Sequence, residues 1–221
     1  DIAESLIETF VELHALDYEA AGLGELGRPA GYAERQIKGW TKRYFKAKTD
    51  EHAELEQAIE WLNANIPTNG GSSLVHNDFK HDNVVLDTND FTKVIAILDW
   101  EMCTLGDPLM DLGSTLGYWM NPNDPPLMRT VFPNPSVLPG NPTRGELIKM
   151  YEEKSGRKID NPVFYYAYGL FKLAVIVQQI YARYVKGHTQ DPRFKNMNVM
   201  VMALGQMAAK AIDNNDIDNL N

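Results

Sequence analysis

Residues 76–83 read His-Asn-Asp-Phe-Lys-His-Asp-Asn, a run of polar side chains around one phenylalanine. Short apolar segments flank it: Leu74-Val75 before, and Val84-Val85-Leu86 after. A third apolar run, Val94–Leu98, reads as a buried strand with Asp99 at its mouth, sixteen residues beyond Asn83. Bounded by turn-forming residues, the three runs read as short strands, about Leu74–His76, Val84–Leu86 and Val94–Leu98. The order confines the fold to one in which a polar loop between strands is followed by a carboxylate at the end of another strand.

Asp78, Asn83 and Asp99 form a set suited to phosphoryl transfer from ATP with magnesium. That reaction asks a protein to orient an acceptor hydroxyl and to hold metal ions against phosphate oxygens. Asp78 can accept the hydroxyl proton, and Asn83 and Asp99 offer the hard oxygen ligands that magnesium prefers. Lys80, two residues after Asp78, can reach a transferring phosphate or stand as a solvated loop lysine. His-x-Asp-x4-Asn followed by an Asp after a strand is the catalytic signature of kinases.

Residues 74–117, from Leu-Val-His-Asn-Asp-Phe-Lys-His-Asp-Asn through Ile-Leu-Asp-Trp-Glu to Gly-Asp-Pro-Leu-Met-Asp-Leu-Gly, resemble the aminoglycoside phosphotransferase and choline kinase-like family. The likeness is strongest to phosphotransferase-like domains found alone in bacteria or fused to acyl-CoA dehydrogenases. Gly27–Tyr32 and Tyr166–Ala174 extend it, and it covers nearly the whole chain up to about Ala211. It implies Asp78 and Lys80 in catalysis, Asn83 and Asp99 on magnesium, and ATP as co-substrate. It also implies His76 as a scaffold bonded to backbone near Asp99, and Asp111 as a buried carboxylate bracing the catalytic loop. The family usually has glycine at the position of Asn77; asparagine tolerates the left-handed backbone better than most residues, so the loop is expected intact.

The rest of the chain is expected to be helical. Ile2, Leu6, Phe10 and Leu13 recur at helical spacing, opposite Glu4, Glu8 and Glu12. Further helices are expected over Tyr32–Ala47, Glu51–Asn63, Asp107 or Pro108 to Trp119, Thr143–Ser155, Pro162–Lys186 and Asp191–Ala211. Asp107 reads as an N-cap followed by an early proline. Residues 121–142 hold seven prolines and read as a long irregular loop, a candidate wall or lid of the substrate site. The aromatic residues of Phe164–Tyr184 read as core at helical spacing. The fold class is therefore mainly α with a small β element (α+β), the carboxy-terminal lobe of a kinase-like fold over residues 1–211, with a polar, frayed tail at 212–221.

Composition fits a cytoplasmic domain. The single Cys103 permits no internal disulfide, as in a reducing compartment. A net charge of −9 argues against binding a nucleic-acid backbone. Lys172, Gln178, Gln179 and Arg183 interrupt the most apolar stretch, Val163–Val185, which reads as a buried helix and not a membrane span.

Kinases also carry a strand-rich amino-terminal lobe with a phosphate-covering loop and a lysine. Nothing in residues 1–72 alternates like a strand, so that lobe is expected in cis, in the full-length protein. Gly22-Leu-Gly-Glu-Leu-Gly27 matches a phosphate-loop pattern, but it follows a helix and runs into Arg28-Pro29, so it reads as a plain loop. The expected function is transfer of the ATP γ-phosphoryl group to a hydroxyl of a small molecule of aminoglycoside, choline or hydroxyacyl type. Two alternatives stand beside it: an inert kinase-like binding module, and a metal-dependent phosphohydrolase using His76, His81, Asp82 and Asp99.

Overall fold

The long apolar stretch after Asn161 becomes the axis of the molecule. The computed structural model describes residues 2–68 and 70–221; Asn69, in the connector between the third helix and the first strand, lies outside the described residues. Asn161 caps the axial helix by accepting the amide of Phe164 at 3.1 Å, and Pro162 fills the first helical position, where no donor is needed. This helix, α7 in chain order (Pro162–Val185), is long and apolar enough to cross a membrane, yet most of it is buried in the protein core. Lys172 and Gln178, the residues that mark it as a core helix, are both buried and hydrogen-bonded inside the fold.

The other helices wrap around that axis. α8 (Met197–Asn214), α4 (Pro108–Tyr118), α2 (Tyr32–Ala47) and α3 (Ala53–Ala64) pack on α7, and α3 also packs on α8. On another side α1 (Ile2–Ala15) lies against α6 (Arg144–Ser155) and strand β1 (Ser73–Val75). Local signals set several boundaries. Asp107 accepts the amide of Leu109 at 2.9 Å ahead of Pro108, and Thr143 with Glu146 forms a capping box at the start of α6. Gly156, at φ 68°, ends α6 in the left-handed conformation.

Four strands form two antiparallel pairs. β1 pairs with β4 (Thr104–Gly106) in the register Leu74↔Leu105, and β2 (Val84–Leu86) pairs with β3 (Val94–Ile97) in the register Val84↔Ile97. Thr104–Gly106 carries too short a signal to be read as a strand from sequence; pairing with β1 makes it one.

Four expectations are corrected. The 121–142 segment contains a helix, α5 (Pro126–Val131), which starts at a proline and leans on α8. The last helix begins at Met197, because Asp191 caps a separate 3-10 turn at Pro192–Phe194. The tail is docked rather than frayed: Leu220 and Ile217 are buried, and Asp218 accepts the amide of Gly145 at 3.1 Å and the Asn121 side chain at 2.7 Å. Finally, β3 is not a buried strand. Ile95 is 55% and Leu98 47% exposed, and Phe91 and Trp100 are exposed beside them, because a two-stranded ribbon has no second layer on its outer face.

Candidate active site

Side chains from distant elements hold the backbone between His76 and Phe79. The Asp111 carboxylate, on α4, accepts the His76 amide on one oxygen at 2.6 Å and the Asn77 amide on the other at 2.7 Å. His14, on α1, donates its Nε2 hydrogen to Asp111 at 3.2 Å and accepts the Tyr151 hydroxyl on Nδ1 at 2.8 Å. On the far side of the loop, the Asn77 carbonyl accepts from Lys172 and the Phe79 carbonyl from Thr115, at 2.9 Å for the latter. The Phe79 ring stacks on Phe10 at 4.4 Å, which plugs the loop into the core.

Asn77 adopts the left-handed conformation, φ 67°. Its side chain is used in full: Oδ1 accepts the Tyr32 hydroxyl at 2.9 Å and Nδ2 donates to the Met102 carbonyl at 3.0 Å. Asparagine thus supplies both the conformation usually taken by glycine and a tie between α2 and the segment after Asp99.

His76 donates Nε2–H to the Leu98 carbonyl at 2.8 Å and accepts the Asp78 amide on Nδ1 at 3.2 Å. Both ring nitrogens are committed, so neither is free for a metal, and His81 stacks instead on Trp119 at 4.9 Å. The four-residue ligand set of the phosphohydrolase alternative is therefore not assembled. No cluster of three or more His, Cys, Asp or Glu suited to a metal occurs among the described residues.

Asp78 sits at the centre. Its Oδ1 accepts the Tyr118 hydroxyl at 2.8 Å, and its Oδ2 accepts Lys80 Nζ at 2.5 Å and Asn83 Nδ2 at 2.8 Å. Burial, followed by the adjacent Asp78 charge, raises the Tyr118 pKa far above its ordinary value, so the phenol stays protonated and donates. Lys80 lies over the Tyr118 ring, 4.7 Å from its centroid, and its ammonium is held by Asp78.

The β2–β3 pair brings the backbone of Asn83 against Leu98, the residue before Asp99. The Leu98 amide donates to the Asn83 carbonyl at 2.8 Å, so Asp99, the next residue, leaves the ribbon beside Asn83. Asp99 has φ 64° and is exposed, with no ion pair among the described residues; burial therefore does not explain its charge, contrary to the expectation of a buried strand mouth. Asn83 directs its amide nitrogen at Asp78, which leaves its amide oxygen as the group available to a cation. Both side chains offer hard oxygen donors, a chemistry that would suit magnesium completed by phosphate and water and not a protein-only cage.

Beside Tyr118 and Lys80, both bonded to Asp78, opens a cavity of about 290 Å³ between α1, the loop, α4 and the proline-rich segment. Leu6, Ile7, Phe79, Tyr118, Phe132 and Leu147 give it apolar walls, and Lys80, His81 and Asp82 stand among its lining. The 121–142 segment does form a wall, through Phe132–Pro135. Burial lowers the His81 pKa, which favours the neutral ring, while Asp82 opposes the shift. Tyr118, Lys172, His14 and Tyr32 were not legible as site residues in the sequence. Lys172 alone left a signal, as a charge in the middle of an apolar helix.

A model of the phosphotransferase enzyme family matches residues 1–138. Acyl-CoA dehydrogenase family member 11 of Rattus norvegicus is 36% identical over 193 residues, which cover 85% of this chain and 24% of that protein. The chain thus spans about a quarter of the length of that relative. A solved structure assigned to the aminoglycoside phosphotransferases, from Ralstonia eutropha JMP134, superposes with a TM-score of 0.85 at 30% identity. That match covers 96% of this chain and 65% of the other. Spectinomycin phosphotransferase, solved with ADP and spectinomycin, shares the fold at a TM-score of 0.56 and 15% identity, over 93% of this chain and 64% of its own.

Proposed function

Because the chain belongs to the phosphotransferase enzyme family, we propose that it is the acceptor-binding and catalytic part of an ATP-dependent small-molecule kinase, with Asp78 as the proton acceptor. The observation that carries this reading is that the Asp78 carboxylate is held by Tyr118, Lys80 and Asn83, and that Tyr118 and Lys80 themselves line the 290 Å³ cavity. An acceptor hydroxyl in that cavity attacks the γ-phosphorus and gives its proton to Asp78. The new oxygen–phosphorus bond forms as the bond to the β-phosphate oxygen breaks and ADP leaves. Tyr118 and Asn83 fix the carboxylate for this role, and Lys80 sits where it can exchange its contact with Asp78 for a phosphoryl oxygen. Asn83 and Asp99 would hold magnesium, which neutralises phosphate charge when bound with nucleotide.

The exposed apolar ribbon at Phe91, Ile95, Leu98 and Trp100 supports a further segment of the full-length protein packing there, as a nucleotide-clamping lobe would. The cavity lining favours an acceptor with an apolar body. Polycationic aminoglycosides call for several carboxylates, whereas leucine, isoleucine and phenylalanine dominate here and Asp82 is the one acidic wall residue among the described residues. A hydroxyacyl-type acceptor suits such walls, and the longer acyl-CoA dehydrogenase relatives support the same direction.

The test is ADP release by the full-length protein with hydroxyacyl, choline and aminoglycoside acceptors, compared with Asp78→Asn. Removal of a general base costs about 10²–10⁴ in rate, with ATP affinity little changed. Near-normal turnover in Asp78→Asn would remove Asp78 from this role, and a preference for aminoglycosides would refute the apolar acceptor.

A further inference from the structure

The left-handed residue that precedes Asp78 is gripped on both sides by buried charge. Its amide donates to Asp111 and its carbonyl accepts from Lys172 Nζ. Lys172 is 3% exposed and its second contact is the Ser114 hydroxyl, at 3.1 Å. No carboxylate forms an ion pair with it among the described residues. Desolvating an ammonium is costly, and an apolar residue of similar volume commonly serves stability as well or better. The fold therefore gives little reason for a lysine in the middle of a core helix. Its surroundings give one: Asp111 of α4 and Asp78 of the loop attract it, Lys80 opposes it, and Trp40 of α2 lies 5.9 Å away at its ring centroid. Tyr168, one turn back on α7, and Tyr32 of α2 also stand at this end, with His76 and His14 on the Asp111 carboxylate; burial raises the pKa of both tyrosines, so both are neutral across the working range.

We propose that Lys172 is a positioning residue for phosphoryl transfer, whose ammonium locks the Asn77 carbonyl and thereby sets the direction in which the Asp78 carboxylate is presented. Its role rests on the phosphotransfer reading above. Lys172 touches neither acceptor nor phosphate; it works through one peptide unit, and Asp111 holds the other end of that residue. Loss of its charge frees the carbonyl to rotate and Asp78 with it, while the helix core is unharmed. Activity and stability then respond in opposite directions. Burial pushes the Lys172 ammonium down to about 8, so turnover falls as pH rises through that value, while stability does not.

The experiment compares the full-length wild type with Lys172→Met, which keeps chain length and removes charge and donor. Turnover and KM are measured from pH 6 to 9.5, together with the denaturation midpoint. In wild type, turnover should decline through about pH 8. In Lys172→Met it should be about 10–100-fold lower, the loss typical of a charge-assisted hydrogen bond. KM should stay within about threefold, the alkaline decline should vanish, and the midpoint should be equal or higher. Turnover within about twofold of wild type, with the same alkaline decline, would overturn the proposal. If the variant does not fold, wild type carrying 13C-labelled lysine decides: a lysine titrating near pH 8 in step with turnover upholds the role, and turnover flat to pH 9.5 overturns it. If wild type transfers phosphate to no acceptor, the functional reading fails separately. The Asn77 and Asp78 amide resonances then decide the clamp, which falls if Lys172→Met leaves them unmoved and stands if they shift.

Discussion

Gly169 of α7 lies so close to Gly113 of α4 that a methyl group built on it would collide with the Gly113 carbonyl and stand 3.2 Å from the Gly117 amide nitrogen. Two backbones in contact leave no room for any side chain at this crossing. α4 carries Asp111 and Tyr118, and α7 carries Lys172, so the spacing of the two helices sets the separation of the groups that grip the catalytic loop. Gly169→Ala forces backbone apart from backbone, and such overpacking costs about 1–3 kcal/mol or more. Urea denaturation should show that loss, and a variant as stable as wild type would mean the crossing is looser than described.

Asn77 offers a cleaner separation of backbone from side-chain effects. Asn77→Gly and Asn77→Ala both strand the buried Tyr32 hydroxyl and the Met102 carbonyl, and both should lose stability by about 1–3 kcal/mol. Only alanine also adds the left-handed strain at φ 67°, worth about 1–2 kcal/mol. Glycine should therefore be the milder change of the two. Equal losses on chemical denaturation would show that the loop relaxes out of its left-handed turn.

Stability should rise with pH above about 8. The folded state depresses the Lys172 ammonium to about 8, below its ordinary 10.5, so between those values the unfolded chain binds the proton more tightly. The destabilisation it causes at neutral pH is therefore relieved as pH rises through this window. Tyr32 and Tyr118 act in the opposite sense, because burial raises both. Their contribution is complete below their ordinary value of 10 and is lost above it. Denaturation midpoints should climb from about pH 8 toward 10 and then drop. The climb should be absent in Lys172→Met; a climb of the same size there would assign it to another group.

The carboxy-terminal tail contributes to folding. Leu220 is fully buried, and the Ile217 carbonyl accepts the Nε hydrogen of Arg144, itself a buried partner of Asp124. Leu220→Ala should cost about 2–5 kcal/mol, as for other buried leucines. Deleting residues 216–221 should cost at least as much, since Gly145 and Asn121 lose Asp218 as well. Unchanged thermal midpoints in both variants would restore the frayed tail.

Signals that act within three or four residues were legible in the sequence. Asp107-Pro108, Thr143 with Glu146, and Asn161-Pro162 mark helix starts because a cap and the amides it satisfies are near neighbours in the chain. The octet from His76 to Asn83 was legible for the same reason: its residue types and spacing are a local pattern, and asparagine tolerates the left-handed turn that Asn77 adopts. What surrounds that octet was decided by tertiary structure. His14 reaches Asp111 across 97 positions, Lys172 reaches Asn77 across 95, and Tyr118 reaches Asp78 across 40. No spacing rule links residues so far apart, because their meeting depends on how α1, α4 and α7 cross, and that crossing is set by the volume of side chains such as the absent one at Gly169. The exposed face of β3 and the buried tail follow the same logic, since an apolar residue is buried only where the fold supplies something to cover it.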